Sequence, residues 1–177
     1  MAAEKPENHK KLVETVSRAP DRQWIESYFE LVEALISETG LRSDDPRLVM
    51  SLPGKGTLPV TVNNRYALVA FRGGKSSTEF ILPANQGGVH KYVRQAARDV
   101  RFKPIYDEDE SDRPWLLRYD RDPQEAVDDE FRRFWLTAVK TEMRRISKSP
   151  YRRYHEPVVY RAAEDAEYRE QVFDEAF

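Results

Sequence analysis

The sequence predicts an α+β fold, with a small antiparallel β-meander packed on one face by three main helices and followed by a C-terminal arm and helix. Short β-rich runs separated by turn residues fill residues 47–82, and consecutive short strands usually pair with their neighbours. Three other segments carry apolar residues at three- and four-residue steps, which is the period of an amphipathic helix. They are residues 21–39, 89–100 and 122–148.

The composition fits one domain of ordinary size. The chain has 177 residues, 40% of them hydrophobic, and a formal net charge of −2, so its overall charge does not favour nucleic acid. We expect a polar N-terminal segment with a short helix over residues 1–20 and a single α+β domain over 21–150. A basic-aromatic arm and then an acidic helix are expected over 151–177.

Cysteine is absent, which excludes disulfides and thiolate metal sites. The first residues lack the apolar stretch of a secretory signal. No apolar run reaches the roughly 18 residues that a membrane helix needs. We therefore expect a cytoplasmic protein with no membrane partner.

Two of the three main helices have clear end signals. Asp21 is a good N-cap for the first of these helices. Gly40 stands at its other end, where a residue in the left-handed conformation commonly terminates a helix. At the last helix, Asp122 is at the N-cap, Pro123 at the first helical position and Glu125 where a capping box places its glutamate.

The meander is predicted from alternation and turn residues. Strands are expected over residues 47–52, 58–62, 66–71 and 78–82, with turns at residues 63–64 and 72–75. The alternation leaves the second face of the sheet partly open, and such a face is a usual place for ligand contact. Two further short strands are expected over 101–106 and 115–119, the first at an edge because Pro104 cannot donate to a ladder.

The C-terminal region is predicted in two parts. Residues 151–161 are aromatic and basic with Pro157 among them, so we expect an extended arm. Residues 162–177 are predicted to form an acidic helix, either docked on the domain or available to a partner.

No motif in the chain indicates catalysis. Gly74, Lys75 and Ser76 match the end of a phosphate-binding loop, but Val69 stands where the first glycine belongs and a predicted strand follows instead of a helix. The three histidines lack metal-ligand spacing, and the acidic run at 107–112 lacks the glycine of an EF-hand loop. We therefore identify no catalytic residue, no cofactor and no metal site.

The main functional signal is a cluster of basic and aromatic residues from Lys140 to Arg161, which we call the basic-aromatic segment. Cations neutralise phosphates and aromatic rings stack on unpaired bases. This segment is therefore expected to contact nucleic acid or another phosphate-bearing ligand. Its candidate binding residues are Arg144, Arg145, Lys148, Tyr151, Arg152, Arg153 and Tyr154.

A structural interpretation explains the same charges. Cations near the C-terminus of a long helix favour its macrodipole. The basic residues of the arm can also pair with the acidic tail, which would cancel or mask them. The acids of the tail are Glu164, Asp165, Glu167, Glu170, Asp174 and Glu175.

Three classes of function remain open. The first is a non-enzymatic binding or adaptor module that contacts nucleic acid or a protein partner through the basic-aromatic segment or the open sheet face. The second is an enzyme or small-molecule-binding protein with its site between the meander and the helix that begins at Val89. The third is a structural protein that forms a homodimer through its C-terminal helix.

Overall fold

The structure is a computed structural model and describes residues 6–52, 56–63, 65–71, 78–80, 103–104, 117–118, 123–126, 129–143 and 152–177. The helices are α1 (Pro6–Val16), α2 (Arg22–Thr39), α3 (Pro123–Ala126), α4 (Asp129–Met143), α5 (Pro157–Glu164) and α6 (Ala166–Ala176), and a 3-10 turn lies at Arg152–Tyr154. The strands are β1 (Leu48–Met50), β2 (Leu58–Val62), β3 (Arg65–Ala70), β4 (Thr78–Phe80), β5 (Lys103–Pro104) and β6 (Leu117–Arg118).

The α+β prediction is confirmed. Strands β1 to β4 form one antiparallel sheet in chain order, as expected when short strands follow one another directly. Strands β5 and β6 pair antiparallel in a second sheet of two strands. They lie inside the segments 101–106 and 115–119, which were predicted as strands.

The hairpin between β2 and β3 has the tight turn that the two asparagines predict. Val62 pairs with Arg65, so the loop is two residues long. Asn63 has a φ of 50°, and the two-residue hairpin turns require a positive φ at this position. Asparagine tolerates the left-handed region better than most residues, so the turn forms at low cost.

A β-bulge interrupts the same hairpin. The register shifts between Val60 and Thr61 because β3 contains one extra residue there, Ala67. The carbonyl of Ala67 accepts a hydrogen bond of 2.9 Å from the buried indole Nε1 of Trp135 on α4. The indole therefore satisfies a backbone group that the bulge removes from the ladder.

Helix α2 ends where the sequence predicts. The Asp21 carboxylate accepts from the Trp24 N–H at 2.8 Å. Gly40 is left-handed, with a φ of 66°, and its N–H donates to Ile36 O at 2.8 Å. The helix contacts α3, α4 and α5, so it lies at the centre of the helical layer.

One hydrophobic core joins the sheet to the helices. Apolar side chains at alternate positions of β1 and β2 fill one face of the sheet, and the helices cover that face. Helices α1 and α6 pack against each other at one side. The largest fully buried side chains include Trp24, Trp135, Tyr28, Phe29 and Phe173.

The second face of the sheet is covered at Val49, Pro59 and Val69, so the expectation of a partly open face is wrong at these positions. Val49 and Val69 lie outside the main core, yet they are only 3% and 4% exposed. Pro59 is also buried, whereas Thr61 is half-buried. Because two valines and a proline make this face apolar as well, burying it is favourable.

The expectation of an extended arm over 151–161 is also wrong for its described residues. They form the 3-10 turn and the first part of α5. Pro157 occupies the first turn of α5, where its missing N–H is not needed and its fixed φ suits a helix. The proline therefore begins a helix here instead of preventing one.

The acidic C-terminal helix is confirmed and corresponds to α6. The Asp165 carboxylate caps it by accepting from the Tyr168 N–H at 3.1 Å. The side chains of Tyr168, Val172 and Phe173 are buried, so this helix docks on its own chain.

The other helix predictions are covered in part. The helix predicted over 89–100 lies outside the described residues. Within 122–148, α3 begins at Pro123 as expected, and the described part of α4 extends to Met143. Asp122, the predicted N-cap, and residues 127–128 and 144–148 lie outside the described residues.

The backbone at the end of β3 is strained. Phe71 has a φ of 60°, a region that bulky side chains rarely adopt. Its ring is buried and packs on Trp24, with the ring centroids 5.1 Å apart. The burial of the ring therefore offsets a backbone cost of about 1–2 kcal/mol.

We expect the Tyr28→Phe substitution to lower the free energy of unfolding by about 1–2 kcal/mol. The buried Tyr28 hydroxyl donates to Leu58 O at 2.6 Å, and the substitution removes only that hydroxyl. Urea denaturation measures the change. Tyr154→Phe is the matched control, because Tyr154 is 52% exposed and should show no change; equal effects in the two variants would contradict the prediction.

A comparison of Phe71→Gly with Phe71→Ala tests the backbone strain. Both substitutions remove the ring, but glycine adopts a positive φ without cost, so Phe71→Gly should be more stable by about 1 kcal/mol. The control is Ala70→Gly in the adjacent strand position, where glycine should instead be destabilising by about 0.5–1 kcal/mol. An Ala variant at 71 as stable as the Gly variant would rule out the strain. Urea midpoints of the variants provide the comparison.

Candidate binding surface on the C-terminal segment

Within the basic-aromatic segment, residues 152–156 lie along the outer edge of the sheet. Strand β1 is an edge strand, because β2 is its only partner in the four-stranded order. The 3-10 turn and the start of α5 contact β1. The positions of Arg152, Arg153 and Tyr154 are therefore set by the way residues 152–156 meet this edge.

The backbone of β1 faces β2 at odd-numbered residues. Two bonds at residues that flank β1 show this: Arg47 O accepts from the Asn63 N–H at 2.9 Å, and the Ser51 N–H donates to Pro59 O in β2 at 3.4 Å. Bonded pairs alternate along an antiparallel ladder. The N–H and C=O groups of Leu48 and Met50 therefore point away from the sheet.

Residues 152–156 bond to three of these four outward groups, and we call them the edge cap. Arg152 Nη1 donates to Leu48 O at 2.5 Å. Met50 N–H donates to His155 Nδ1 at 3.1 Å, and Glu156 N–H donates to Met50 O at 2.7 Å. An open strand edge is a template for pairing with another chain, and the edge cap closes this one.

The fourth outward group is bonded by the loop before β1. Leu48 N–H donates to Asp45 O at 3.2 Å. The Asp45 carboxylate is held by Arg47, whose Nε and Nη2 donate to it at 2.9 and 2.6 Å. These hydrogen bonds lower the pKa of Asp45 and keep the loop in place.

The hydrogen bonds of His155 define its tautomer. Its Nδ1 accepts from the Met50 N–H, so this atom carries no proton, and Nε2 donates to Ser43 Oγ at 3.1 Å. Burial, together with the nearby positive charge of Arg152, lowers the pKa of His155 to about 4. The edge cap therefore depends on neutral His155, because a protonated ring has no acceptor for a backbone N–H.

Arg152 is used by the fold. Besides Leu48 O, its guanidinium also donates to Ser43 O. Burial lowers the pKa of Arg152, against the opposing effect of the Asp45 and Asp44 carboxylates. This predicted binding residue therefore has a structural role as well, because its donors satisfy two backbone carbonyls.

Arg153 and Tyr154 point into solvent. Arg153 is exposed and its guanidinium lies 4.8 Å from the centroid of the Tyr154 ring. Tyr154 is one of two large apolar side chains exposed among the described residues, the other being Phe177. The next turn residue, His155, is fixed to β1, so this cation and ring stand on a rigid support.

The remaining candidate residues lie outside the described residues. They are Arg144, Arg145, Lys148 and Tyr151. The structure therefore brings Arg152, Arg153 and Tyr154 together and leaves the other four candidates as predictions.

Three acids of the tail have partners in α1 and α2. Glu170 and Asp174 both pair with Arg22, the second at 3.0 Å. Glu175 Oε2 lies 3.0 Å from His9 Nε2, and His9 Nδ1 lies 2.7 Å from the Tyr168 hydroxyl. These contacts join the two ends of the described chain.

One acid of the tail does pair within the basic-aromatic segment. Arg161 Nε lies 3.4 Å from Asp165, and its guanidinium lies 4.1 Å from the centroid of the Tyr168 ring. Both partners are local, four and seven residues along the chain. The expected pairing of arm and tail is thus present at Arg161.

The sequence analysis did not identify the role of Ser43 and His155 in holding the edge cap. The signal available was the order His155, Glu156, Pro157, which places two polar residues before a proline that begins a helix. The partner at β1 is more than 100 residues away, and single-sequence patterns carry no information about such contacts.

The described residues contain no group of three or more His, Asp or Glu that could hold a metal ion. None of their helices is both long and apolar enough to cross a bilayer. Comparison with protein-family models, curated proteins and solved structures finds no match to this chain. The candidate surface must therefore be interpreted from its own geometry.

We predict that the free energy of unfolding falls as the pH is lowered from about 7 to 4, in part because of His155. Its folded-state pKa is depressed to about 4 from 6.5, so within this range the unfolded chain binds a proton that the folded chain does not. The stability is present above pH 6.5 and is lost towards pH 4. At roughly 1.4 kcal/mol per pKa unit, the loss is at most about 3 kcal/mol.

His155→Asn isolates this contribution, because an Asn carbonyl can still accept from the Met50 N–H but cannot titrate. Urea denaturation of both proteins at pH 7, 5.5 and 4 gives two pH profiles, and carboxylates common to both cancel in their difference. The variant should lose less stability on acidification. Parallel profiles would show that His155 titrates normally.

Proposed function

We propose that this protein is a non-enzymatic binding module that contacts nucleic acid through its basic-aromatic segment. The observation that supports this most is the exposed pair of Arg153 and Tyr154, with the guanidinium 4.8 Å from the ring centroid. A cation beside an aromatic ring suits both parts of a nucleotide, because the cation attracts the phosphate and the ring stacks on a base.

The edge cap supports the same proposal by making this pair rigid. Arg152, His155 and Glu156 hold the turn to β1 on both sides of Arg153 and Tyr154. A rigid contact group loses little conformational entropy on binding. Arg144, Arg145, Lys148 and Tyr151 are proposed as further contact residues on the basis of the sequence alone.

Arg152 and Arg153 have different roles in this proposal. Arg152 donates to two backbone carbonyls, so its main contribution is to hold the turn. Arg153 is exposed, so its charge is available to a phosphate. We therefore assign phosphate contact to Arg153, and Arg152 supports it.

The other two classes of function have less support. The proposed small-molecule site beside the helix that begins at Val89 rests on residues outside the described ones. A homodimer through the C-terminal helix needs the apolar side of α6, where Tyr168, Val172 and Phe173 are buried within the chain. We also propose a cytoplasmic location, which the cysteine-free sequence leads us to expect for such a module.

The test is fluorescence-anisotropy binding of the full-length protein to labelled single-stranded and duplex oligonucleotides across a salt series. The full chain is needed because residues of the tail, including Val172 and Phe173, belong to the core. We expect salt-sensitive binding to single strands. Arg153→Glu should weaken it about tenfold at low salt and reduce the salt slope by about 0.7 or more, since the contact with one phosphate is lost.

Lys10→Glu is the matched control, because it makes the same change of charge at an exposed position of α1. Tyr154→Ala should weaken single-strand binding by about 1–3 kcal/mol if a base stacks on the ring. Equal losses for Arg153→Glu and Lys10→Glu would indicate a general charge effect and contradict the proposed surface. Absence of binding at low salt would reject the nucleic-acid ligand.

A further inference from the structure

The edge of β1 has a second possible partner besides the edge cap, namely the β1 strand of another copy of this chain. The four outward groups belong to Leu48 and Met50, which lie two residues apart on either side of Val49. In an antiparallel strand pair, bonded residues exchange both of their hydrogen bonds, and bonded pairs occur at every second residue. The edge therefore presents two complete bonding positions.

These positions are self-complementary. If two copies of β1 meet antiparallel about a twofold axis at Val49, Leu48 of one copy is opposite Met50 of the other. Each such pair exchanges two hydrogen bonds, so the same four groups in each strand are satisfied again. The two Val49 residues face each other as the non-bonded pair at the centre.

The edge cap occupies the same bonding positions with groups from the C-terminal segment. Arg152 covers Leu48 O, and His155 and Glu156 cover both backbone groups of Met50. Two of these three bonds come from side chains, so substitution can remove them without changing the backbone. Asn8 Nδ2 donates to the Glu156 carboxylate at 2.7 Å, which also ties the edge cap to α1.

We propose that the edge of β1 is a self-association surface, and that the edge cap is an autoinhibitory cover which prevents two copies from pairing through it. The inference rests on the backbone bonding of β1 and does not depend on nucleic-acid binding. Native proteins commonly protect edge strands in order to avoid such pairing.

The first experiment compares the mass in solution of the wild-type chain and the Arg152→Ala/His155→Ala variant by sedimentation equilibrium. We expect the variant to self-associate at least about tenfold more tightly, because two of the outward groups, Leu48 O and Met50 N–H, lose their partners. Arg153→Ala is the control, since it changes the same turn without touching β1. Circular dichroism shows whether each variant is folded.

A cysteine cross-link tests the geometry, because the chain has no cysteine of its own. Facing residues of a non-bonded antiparallel pair have Cα atoms about 4.5 Å apart, which a disulfide can span. Val49→Cys in the Arg152→Ala/His155→Ala background should therefore give a disulfide-linked dimer on mild oxidation. The same cysteine in the wild-type background should give little disulfide-linked dimer. Ser37→Cys, at an exposed position of α2, should also give little in the variant background.

The proposal would be overturned if the double variant is folded and monomeric and its Val49→Cys form gives no cross-link. It would also be overturned if Ser37→Cys cross-links the variant as efficiently as Val49→Cys does. If the double variant does not fold, His155→Ala and Arg152→Ala are tested singly with Val49→Cys, because each frees an outward group. Failure of both single variants to fold would also overturn it, since the edge cap would then be an indispensable part of the fold and not a removable cover.

Discussion

The structure depends on how it satisfies the backbone groups at the outer edge of β1. Three of the four outward groups of this strand bond to residues 152–156, more than 100 residues further along the chain. An unpaired backbone group that is cut off from water costs about as much as a lost hydrogen bond. The C-terminal segment is therefore part of the sheet's hydrogen bonding as well as of its hydrophobic core.

This constraint also explains why side chains replace backbone at the edge. A fifth strand would bond through its backbone alone, but Pro157 begins a helix immediately after Glu156. Among the described residues 152–156, only the N–H of Glu156 bonds to β1 as a strand's backbone would. The side chains of Arg152 and His155 supply the other partners, which fixes the turn and leaves Arg153 and Tyr154 facing solvent.

The sequence predicts the elements whose signals are local. Asp21 and Gly40 define the ends of α2, the two asparagines define the β2–β3 turn, and the order of the strands follows from their short connections. The prediction failed at Pro157, because a proline within a basic-aromatic run is compatible both with an extended arm and with a helix start. Contacts with β1 decide between them, and these are not local.

At the candidate surface, too, the sequence predicts what is local and misses what depends on distant contacts. The sequence identifies Arg152, Arg153 and Tyr154 as a cationic and aromatic group, but it cannot distinguish an arginine that bonds to carbonyls from one that faces solvent. That distinction comes from the outward carbonyl of Leu48, whose direction is set by the pairing of β1 with β2. Because adjacent residues of a tightly fixed turn point in different directions, Arg152 faces the fold and Arg153 faces solvent. The alternation of a strand ladder thus determines which of two neighbouring arginines bonds to the fold and which faces solvent.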